Sequence, residues 1–146
     1  MKFVCRVVID AQIEKVISLF GNKDNLSKWQ DGFISLEHLE GTPGTPGAKS
    51  RLVYQTRGKQ IELIETIIKN ELPREFIASY EADTMRNTMK NTFSNIDIHQ
   101  TEYIAEVEYT KFNGLIPKLM AKLFPGMFKK QTQKWLNQFK EFVENA

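Results

Sequence analysis

Tyrosines at alternating strand positions are the side chains of this chain most able to do chemistry inside an apolar wall. Tyr54, Tyr80 and Tyr109 each fall on the apolar side of a stretch that alternates apolar and polar residues. A phenol hydroxyl both donates and accepts hydrogen bonds, so three of them suit an amphipathic or aromatic ligand with one oxygen-rich end. Asn87 and Asn91 would add amides to the same face, and buried amides need partners such as a ligand or water.

Catalysis would require an acid or base within hydrogen-bond reach of a substrate. Beyond the tyrosines only Glu62 is a candidate, and a tyrosine with an ordinary pKa of about 10 is a poor base at neutral pH. The sequence contains no nucleophile elbow, phosphate-binding loop, HExxH motif or plausible triad. We therefore expect binding without chemistry and no catalytic residues, with acid–base catalysis as the alternative.

Metal or thiol chemistry has little support in the composition. Cys5 is the only cysteine and lies in an apolar strand, which predicts a small packed hydrophobe and excludes an internal disulfide. His38 and His99 lie far apart and belong to no cluster with metal-ligand spacing. We expect neither a metal nor a cofactor.

Length and charge limit the class of protein. The 146 residues suit one domain, residues 1–146, and no apolar run approaches the length of a membrane span. The N-terminus leads directly into a strand pattern instead of a signal peptide, so we expect a cytoplasmic protein, either a monomer or a homodimer. Residues 109–140 hold seven lysines and no acidic residue, which leaves 13 basic and 18 acidic residues, a charge of −5, elsewhere. Nucleic acid is not an expected partner, because these lysines come without arginine and without interleaved exposed aromatics.

The order of elements follows from hydrophobic periodicity and turn residues. A strand at 2–10 precedes a helix at 11–20, capped by Asp10, and a short helix at 24–29. Six strands follow, with a tight hairpin turn at Gly58-Lys59, and are predicted at 33–39, 48–57, 60–69, 75–82, 85–98 and 103–112. Pro125-Gly126 then separates a short helix at 115–124 from a longer one at 127–144.

Strand alternation identifies the side chains that would face the C-terminal helix. By pattern alone these side chains are core, and they line a ligand cavity only if the chain resembles a family that has one. The strand from Ile61 to Ile68 is apolar on both faces, and there the inner positions are assigned to Ile64 and Ile68. Trp29 would close one end and Trp135 would pack the helix on the sheet. The predicted ligand-binding residues are Trp29, Leu52, Tyr54, Ile64, Phe76, Tyr80, Met89, Phe93, Tyr109, Phe124 and Phe128.

Residues 109–140, the basic segment, contain more apolar residues than one narrow helical stripe needs. Such a surplus fits a mobile lid over a hydrophobic ligand, a partner groove or a membrane interface. The lid is the favoured interpretation, with Pro125-Gly126 as its hinge and transient membrane contact through residues 115–130.

Several weak motifs, taken in order, resemble the START-like superfamily, also called Bet v 1-like or SRPBCC, and within it the polyketide cyclase/dehydrase and lipid-transport group. The resemblance covers nearly the whole chain. It rests on Val7-Val8-Ile9-Asp10-Ala11, Val16, Phe20, Asn25 to Trp29, Gly41 to Gly47, Glu71 to Phe76, Trp135-Leu136, Phe139-Lys140 and Val143-Glu144. Gln12 stands where many relatives have proline, and the metal ligands of the ring-hydroxylase members are absent.

The resemblance implies an α+β helix-grip fold, in which a curved antiparallel sheet wraps round a long C-terminal helix and two short helices follow the first strand. It also implies an apolar cavity between sheet and helix that takes a lipid, sterol or polyketide-like aromatic molecule. A cyclase/dehydrase enzyme, or a protein-interaction module with a filled core, are the alternatives.

Overall fold

Seven antiparallel strands form the framework of the protein. The computed structural model describes residues 1–146. Its strands are β1 Lys2–Ile9, β2 Phe33–Glu40, β3 Lys49–Thr56, β4 Lys59–Glu71, β5 Glu75–Glu81, β6 Met85–Asp97 and β7 Gln100–Phe112. They pair in the order β1-β7-β6-β5-β4-β3-β2. Each strand from β2 to β7 therefore lies beside the next one in the chain, whereas β1 pairs with the distant β7.

Four helices and one turn of 3₁₀ helix complete the fold. They are α1 Ile13–Gly21, the 3₁₀ turn Lys23–Asn25, α2 Leu26–Trp29, α3 Leu115–Leu123 and α4 Gly126–Asn145. None of these helices combines the length and the apolar character that crossing a membrane requires. The predicted break at Pro125-Gly126 is confirmed.

The start of α1 differs from its prediction. The predicted cap at Asp10 was wrong, because Gln12 occupies the N-cap of α1 and makes no side-chain cap bond. The backbone N–H of Asp10 instead donates to Glu144 Oε2 at 2.8 Å. This bond ties the start of α1 to the end of α4.

The β3–β4 hairpin turns on two residues with positive φ, Arg57 at 48° and Gly58 at 77°. Two such residues are what a tight two-residue hairpin requires, because this geometry matches the right-handed twist of the strands. The turn lies one residue earlier than the predicted Gly58-Lys59.

Irregular pairing bends the sheet. Register shifts interrupt β2–β3, β4–β5 and both ends of β6–β7. Bulges increase local twist and bend a strand, so these positions curve the sheet round α4. On the helix, Leu136, Phe139 and Val143 are each 0% exposed and follow helical spacing along one stripe. The predicted helix-grip architecture is confirmed.

Phe20, at the end of α1, fills the space between α4 and strands β5, β6 and β7. Its ring centroid lies 4.9 Å from that of Phe93, and other aromatic rings surround it at Trp29, Phe76, Tyr103 and Phe139. This aromatic cluster closes one end of the grip with side chains. The opposite end, near the start of α4, is less completely covered.

Candidate functional site

A row of polar side chains crosses the inner face of the sheet. Strand pairing aligns Ser50 with Glu65, Glu65 with Tyr80, Tyr80 with Asn87, and Asn87 with Tyr109. Directly paired residues project to the same side of a sheet, so the five side chains form one band facing α4. We call these five residues the polar row.

Glu65 is the charged member of the polar row and was missed by the sequence analysis. It is 4% exposed, its Oε1 lies 2.7 Å from Lys23 Nζ, and its Oε2 accepts a hydrogen bond of 2.9 Å from the Tyr80 hydroxyl. A buried carboxylate is retained at low cost only when paired and hydrogen-bonded, and both conditions hold here. Lys23 comes from the turn before α2, so the ion pair also fastens that segment over the sheet.

Burial and charge keep the Tyr80 phenol neutral. Desolvation is the main cause that raises the pKa of Tyr80 well above its ordinary value, and the negative charge of Glu65 raises it further. A neutral phenol that donates to a carboxylate retains lone pairs, so its oxygen can still accept a hydrogen bond.

Tyr54 and Tyr103 are fixed by other partners. The Tyr54 hydroxyl donates to Gln30 Oε1 at 2.7 Å, and its ring stacks on Trp135 at 5.2 Å. Tyr103, which is 0% exposed, donates to Asn91 Oδ1 at 2.6 Å, and Asn91 Nδ2 donates to a backbone carbonyl. Burial raises the pKa of both phenols. Tyr103 was absent from the predicted set although it shares the parity of Tyr109.

The start of α4 meets a second aromatic group. The ring of Tyr109 lies 4.9 Å from Phe128 on α4 and 5.5 Å from Phe112, and Phe3 approaches from β1. Burial raises the pKa of Tyr109 to about 12. Unlike the core round Phe20, these rings are only half-buried.

The structure places most of the predicted site residues on the inner face. Leu52, Tyr54, Phe76 and Phe93 are buried there, so the predicted register of β3, β5 and β6 is confirmed for them. Tyr80, Met89, Tyr109 and Phe128 are half-buried, and Trp29 packs against Phe20 and Phe139. Whether any of them binds a ligand stays a prediction.

Three predicted positions were wrong. Ile64 pairs with Arg51 and Glu81 and therefore lies on the outer face, because the inner positions of β4 are taken by Leu63, Glu65 and Ile67. Ile68, assigned to the same register, is 48% exposed. Phe124 is 52% exposed at the junction of α3 and α4 and does not line the space under α4.

Two grooves open on the outside of the molecule. One, of about 510 Å³, lies between α2 and the end of α4 and includes Trp29 and Gln138. The other, of about 650 Å³, lies where β5 gives way to β6 and includes Ile64, Glu81 and Arg86. Neither contains a member of the polar row. No cluster of three or more histidine, cysteine or acidic side chains is placed to hold a metal ion.

Removing the Glu65 carboxylate should weaken the fold. We expect Glu65→Ala to lower the free energy of unfolding by about 1–3 kcal/mol, because it leaves the Tyr80 hydroxyl without its acceptor and Lys23 without its counter-ion. The expected loss is small for a buried carboxylate because the Lys23 side chain is 41% exposed, so solvent weakens the ion pair. The matched control is Glu62→Ala on the same strand, whose side chain is 60% exposed and should change stability by less than ~1 kcal/mol. Equal losses in urea denaturation would contradict a buried role for Glu65.

Comparison with known proteins rests on structure. No family model matches the sequence, and no curated protein matches it significantly. Solved structures match along nearly their whole length. The protein TTHA0849 from Thermus thermophilus is 19% identical with a TM-score of 0.80, covering 98% of this chain and 97% of that one. The Zhui aromatase/cyclase from Streptomyces sp. R1128 is 12% identical with a TM-score of 0.83, covering 99% and 93%.

A START superfamily protein from Mycobacterium smegmatis is 15% identical, with a TM-score of 0.77 and coverage of 99% of this chain and 97% of that one. At these identities the likeness concerns the fold. The strand order, the two short helices after β1 and the gripped α4 agree with these neighbours: the chain has the helix-grip fold, which it shares with a protein of the START superfamily.

Proposed function

We propose that the protein binds an amphipathic small molecule between the sheet and the first half of α4. The observation that carries the proposal is that side chains pack unevenly along the space between the sheet and α4. Phe93, Tyr103 and Phe139 close one end completely. At the other end Phe128 of α4 is half-buried, and so are the sheet side chains that face the helix, although most of them are apolar or aromatic; these are Leu63, Tyr80, Asn87, Met89, Tyr109 and Phe112.

The polar row supplies hydrogen-bonding groups that would orient a ligand on this surface. The Tyr80 oxygen can accept a hydrogen bond from a ligand, and the Asn87 amide can both donate and accept one. Burial keeps the Tyr109 hydroxyl neutral, and this hydroxyl has no hydrogen-bond acceptor within the chain. Apolar pockets with a few convergent polar groups are typical ligand sites, because the polar groups fix the orientation of the ligand. A lipid, sterol or polyketide-like aromatic would place its oxygen-bearing end at the row and its hydrocarbon against Met89 and Phe128. The likeness to an aromatase/cyclase and a START protein supports this ligand class.

Acid–base catalysis on such a ligand is the second candidate, favoured by one contact. The Glu65 carboxylate accepts the single phenol proton of Tyr80 at 2.9 Å. If the phenol turned this proton to a substrate carbonyl, the carboxylate would lose its bond to Tyr80 and could take up a proton from the substrate. In a cyclase or dehydratase, Tyr80→Phe would abolish turnover of a cyclisable polyketide analogue, although the variant would still bind it. Equal turnover by the variant would exclude this role.

Ligand binding can be tested by filling the space. We expect a dansyl-labelled fatty acid to bind the wild type with increased dansyl emission, and Met89→Trp to weaken binding at least about tenfold by occupying the inner face. Thr88→Trp is the matched control, since the neighbouring side chain is also half-buried but points to the outer face. Circular dichroism would establish that both variants fold. Equal affinity in the two variants, or no binding by the wild type across fatty acids, sterols and aromatic polyketides, would contradict the proposal.

A further inference from the structure

Helix α3 exposes its most hydrophobic side chains. Leu115 is 80% exposed, Ile116 73%, Leu123 57% and Leu119 49%, and Phe124 at its C-cap is 52% exposed. No side chain of α3 is buried. Clusters of large apolar side chains on a protein surface mark interaction sites, whereas single ones need no explanation.

The arrangement round the helix shows that the exposure is one-sided. Leu115, Leu119 and Leu123 recur every four residues and share one face with Ile116. The half-buried side, which faces the body, carries only Pro117, Met120 and Ala121. In a helix that covers a core the larger apolar residues face inward. Here the orientation is inverted, so the apolar stripe is available to something outside the chain.

Positive charge flanks the stripe. Lys118 and Lys122 are exposed and lie four residues apart on the side of α3 next to the leucines. Lys111 precedes the helix, and Lys129 and Lys130 follow the bend. Of the seven lysines between 109 and 140, only Lys134 and Lys140 form ion pairs, with Asp31 and Glu144. Five of the seven lysines therefore retain uncompensated charge, and two of these five, Lys118 and Lys122, lie on α3 itself.

We propose that α3 and Phe124 form a docking surface for anionic phospholipid membranes. The leucines, Ile116 and Phe124 would enter the boundary between headgroups and acyl chains, and the free lysines would lie at the level of the phosphates. A second copy of this chain fits less well, because a symmetric contact through α3 would bring the unpaired lysines of both copies together without an acidic partner. Membrane docking does not depend on whether a ligand binds between the sheet and α4.

Sedimentation with vesicles tests the surface. We expect the wild type to bind vesicles of equal parts phosphatidylcholine and phosphatidylglycerol, to bind phosphatidylcholine alone far less, and to be released by high salt. Ile116→Glu should lower the partition coefficient at least about tenfold, through lost apolar insertion and added negative charge. Replacing Lys118 and Lys122 by glutamine should lower it about fivefold for each charge removed.

The chain supplies a matched control. Ile98, in the β6–β7 turn, is 73% exposed, the same as Ile116, and lies outside the basic segment. Ile98→Glu should leave vesicle binding unchanged. Failure of the wild type to bind anionic vesicles, or equal effects of the two glutamates, would overturn the proposal. A stable dimer in light scattering that Ile116→Glu dissociates would also overturn it, and would assign the surface to self-association.

Discussion

Phe139→Ala is expected to lower the free energy of unfolding by about 3–5 kcal/mol. Phe139 is 0% exposed and projects from α4 into the aromatic cluster, with its ring 4.9 Å from Trp29 and 5.8 Å from Tyr103. Truncation removes the transfer free energy of the ring and leaves a void that Phe20 cannot fill without leaving its other contacts. Since a domain is stable by only about 5–15 kcal/mol, the variant should be near the limit of folding.

The chain contains a suitable control for this prediction. Phe124→Ala removes the same atoms from a side chain that is 52% exposed, and should change stability by less than ~0.5 kcal/mol. Equilibrium denaturation in urea, followed by far-ultraviolet circular dichroism, measures both variants. Similar midpoints for the two would mean that the helix does not grip the sheet through Phe139.

Alkaline unfolding is expected to be steep, because all four tyrosines are more acidic in the unfolded chain than in the native one. The pKa of Tyr109 is raised to about 12, and burial raises the pKa values of Tyr54, Tyr80 and Tyr103 as well. Unfolded tyrosines ionise at about pH 10. Below that pH both states are neutral, so the stabilising contribution is fully present. Above it the unfolded state releases protons that the native state retains, and the contribution is lost as pH rises.

The size of the effect follows from proton linkage. Each group can lower the free energy of unfolding by at most about 1.4 kcal/mol per pH unit, so four give at most about 5 kcal/mol per unit. We therefore expect cooperative unfolding within about one to three units above pH 10. Urea midpoints measured at increasing pH, together with tyrosinate absorbance, should show ionisation that coincides with unfolding. Tyrosinate appearing in folded protein with an ordinary pKa would contradict the burial of these hydroxyls.

Tyr54→Phe provides the control for the slope. It removes one of the four groups and should make the alkaline decline about one quarter shallower, whatever its effect at neutral pH. Lysine titration adds a smaller contribution of the same sign, because bonds to Glu71 and Glu75 raise the pKa of the exposed Lys69. Salt screens that exposed group but not the buried phenols. The decline should therefore persist at high ionic strength.

The fold was predictable because local signals and global architecture agree. Alternation in β3, β5 and β7, glycine and proline in the turns, and the proline break before α4 each act within a few residues. The register of β4 was predicted wrongly because it is not determined by local signals. Ile64 and Ile67 lie on opposite faces of a strand that is apolar on both, so hydrophobicity cannot choose the register. The inward position of Glu65 fixes the register, but it depends on the bonds of Glu65 to Lys23 and Tyr80, which are distant in sequence.

The site was predictable in kind and less so in detail. Alternation placed Tyr54, Tyr80 and Tyr109 on the inner face, but it could not show that Phe20 would fill one end of the space. That filling depends on where α1 crosses the sheet, which is a tertiary property. Phe124 was misplaced for a similar reason, since helical periodicity identifies an apolar stripe without stating whether the stripe faces the core or solvent.

The pairing of β1 with β7 has a consequence for the order of folding. Lys2 lies opposite Glu108 and Ile9 opposite Thr101, so the strand of this fold that is synthesised first has partners that are synthesised about a hundred residues later. Such distant pairing slows folding, because loop-closure entropy is lost before the contacts form. The meander from β2 to β7 can assemble progressively through adjacent hairpins. The β1 strand and α4 must then join it last, so we expect the native grip to form only after α4 has left the ribosome.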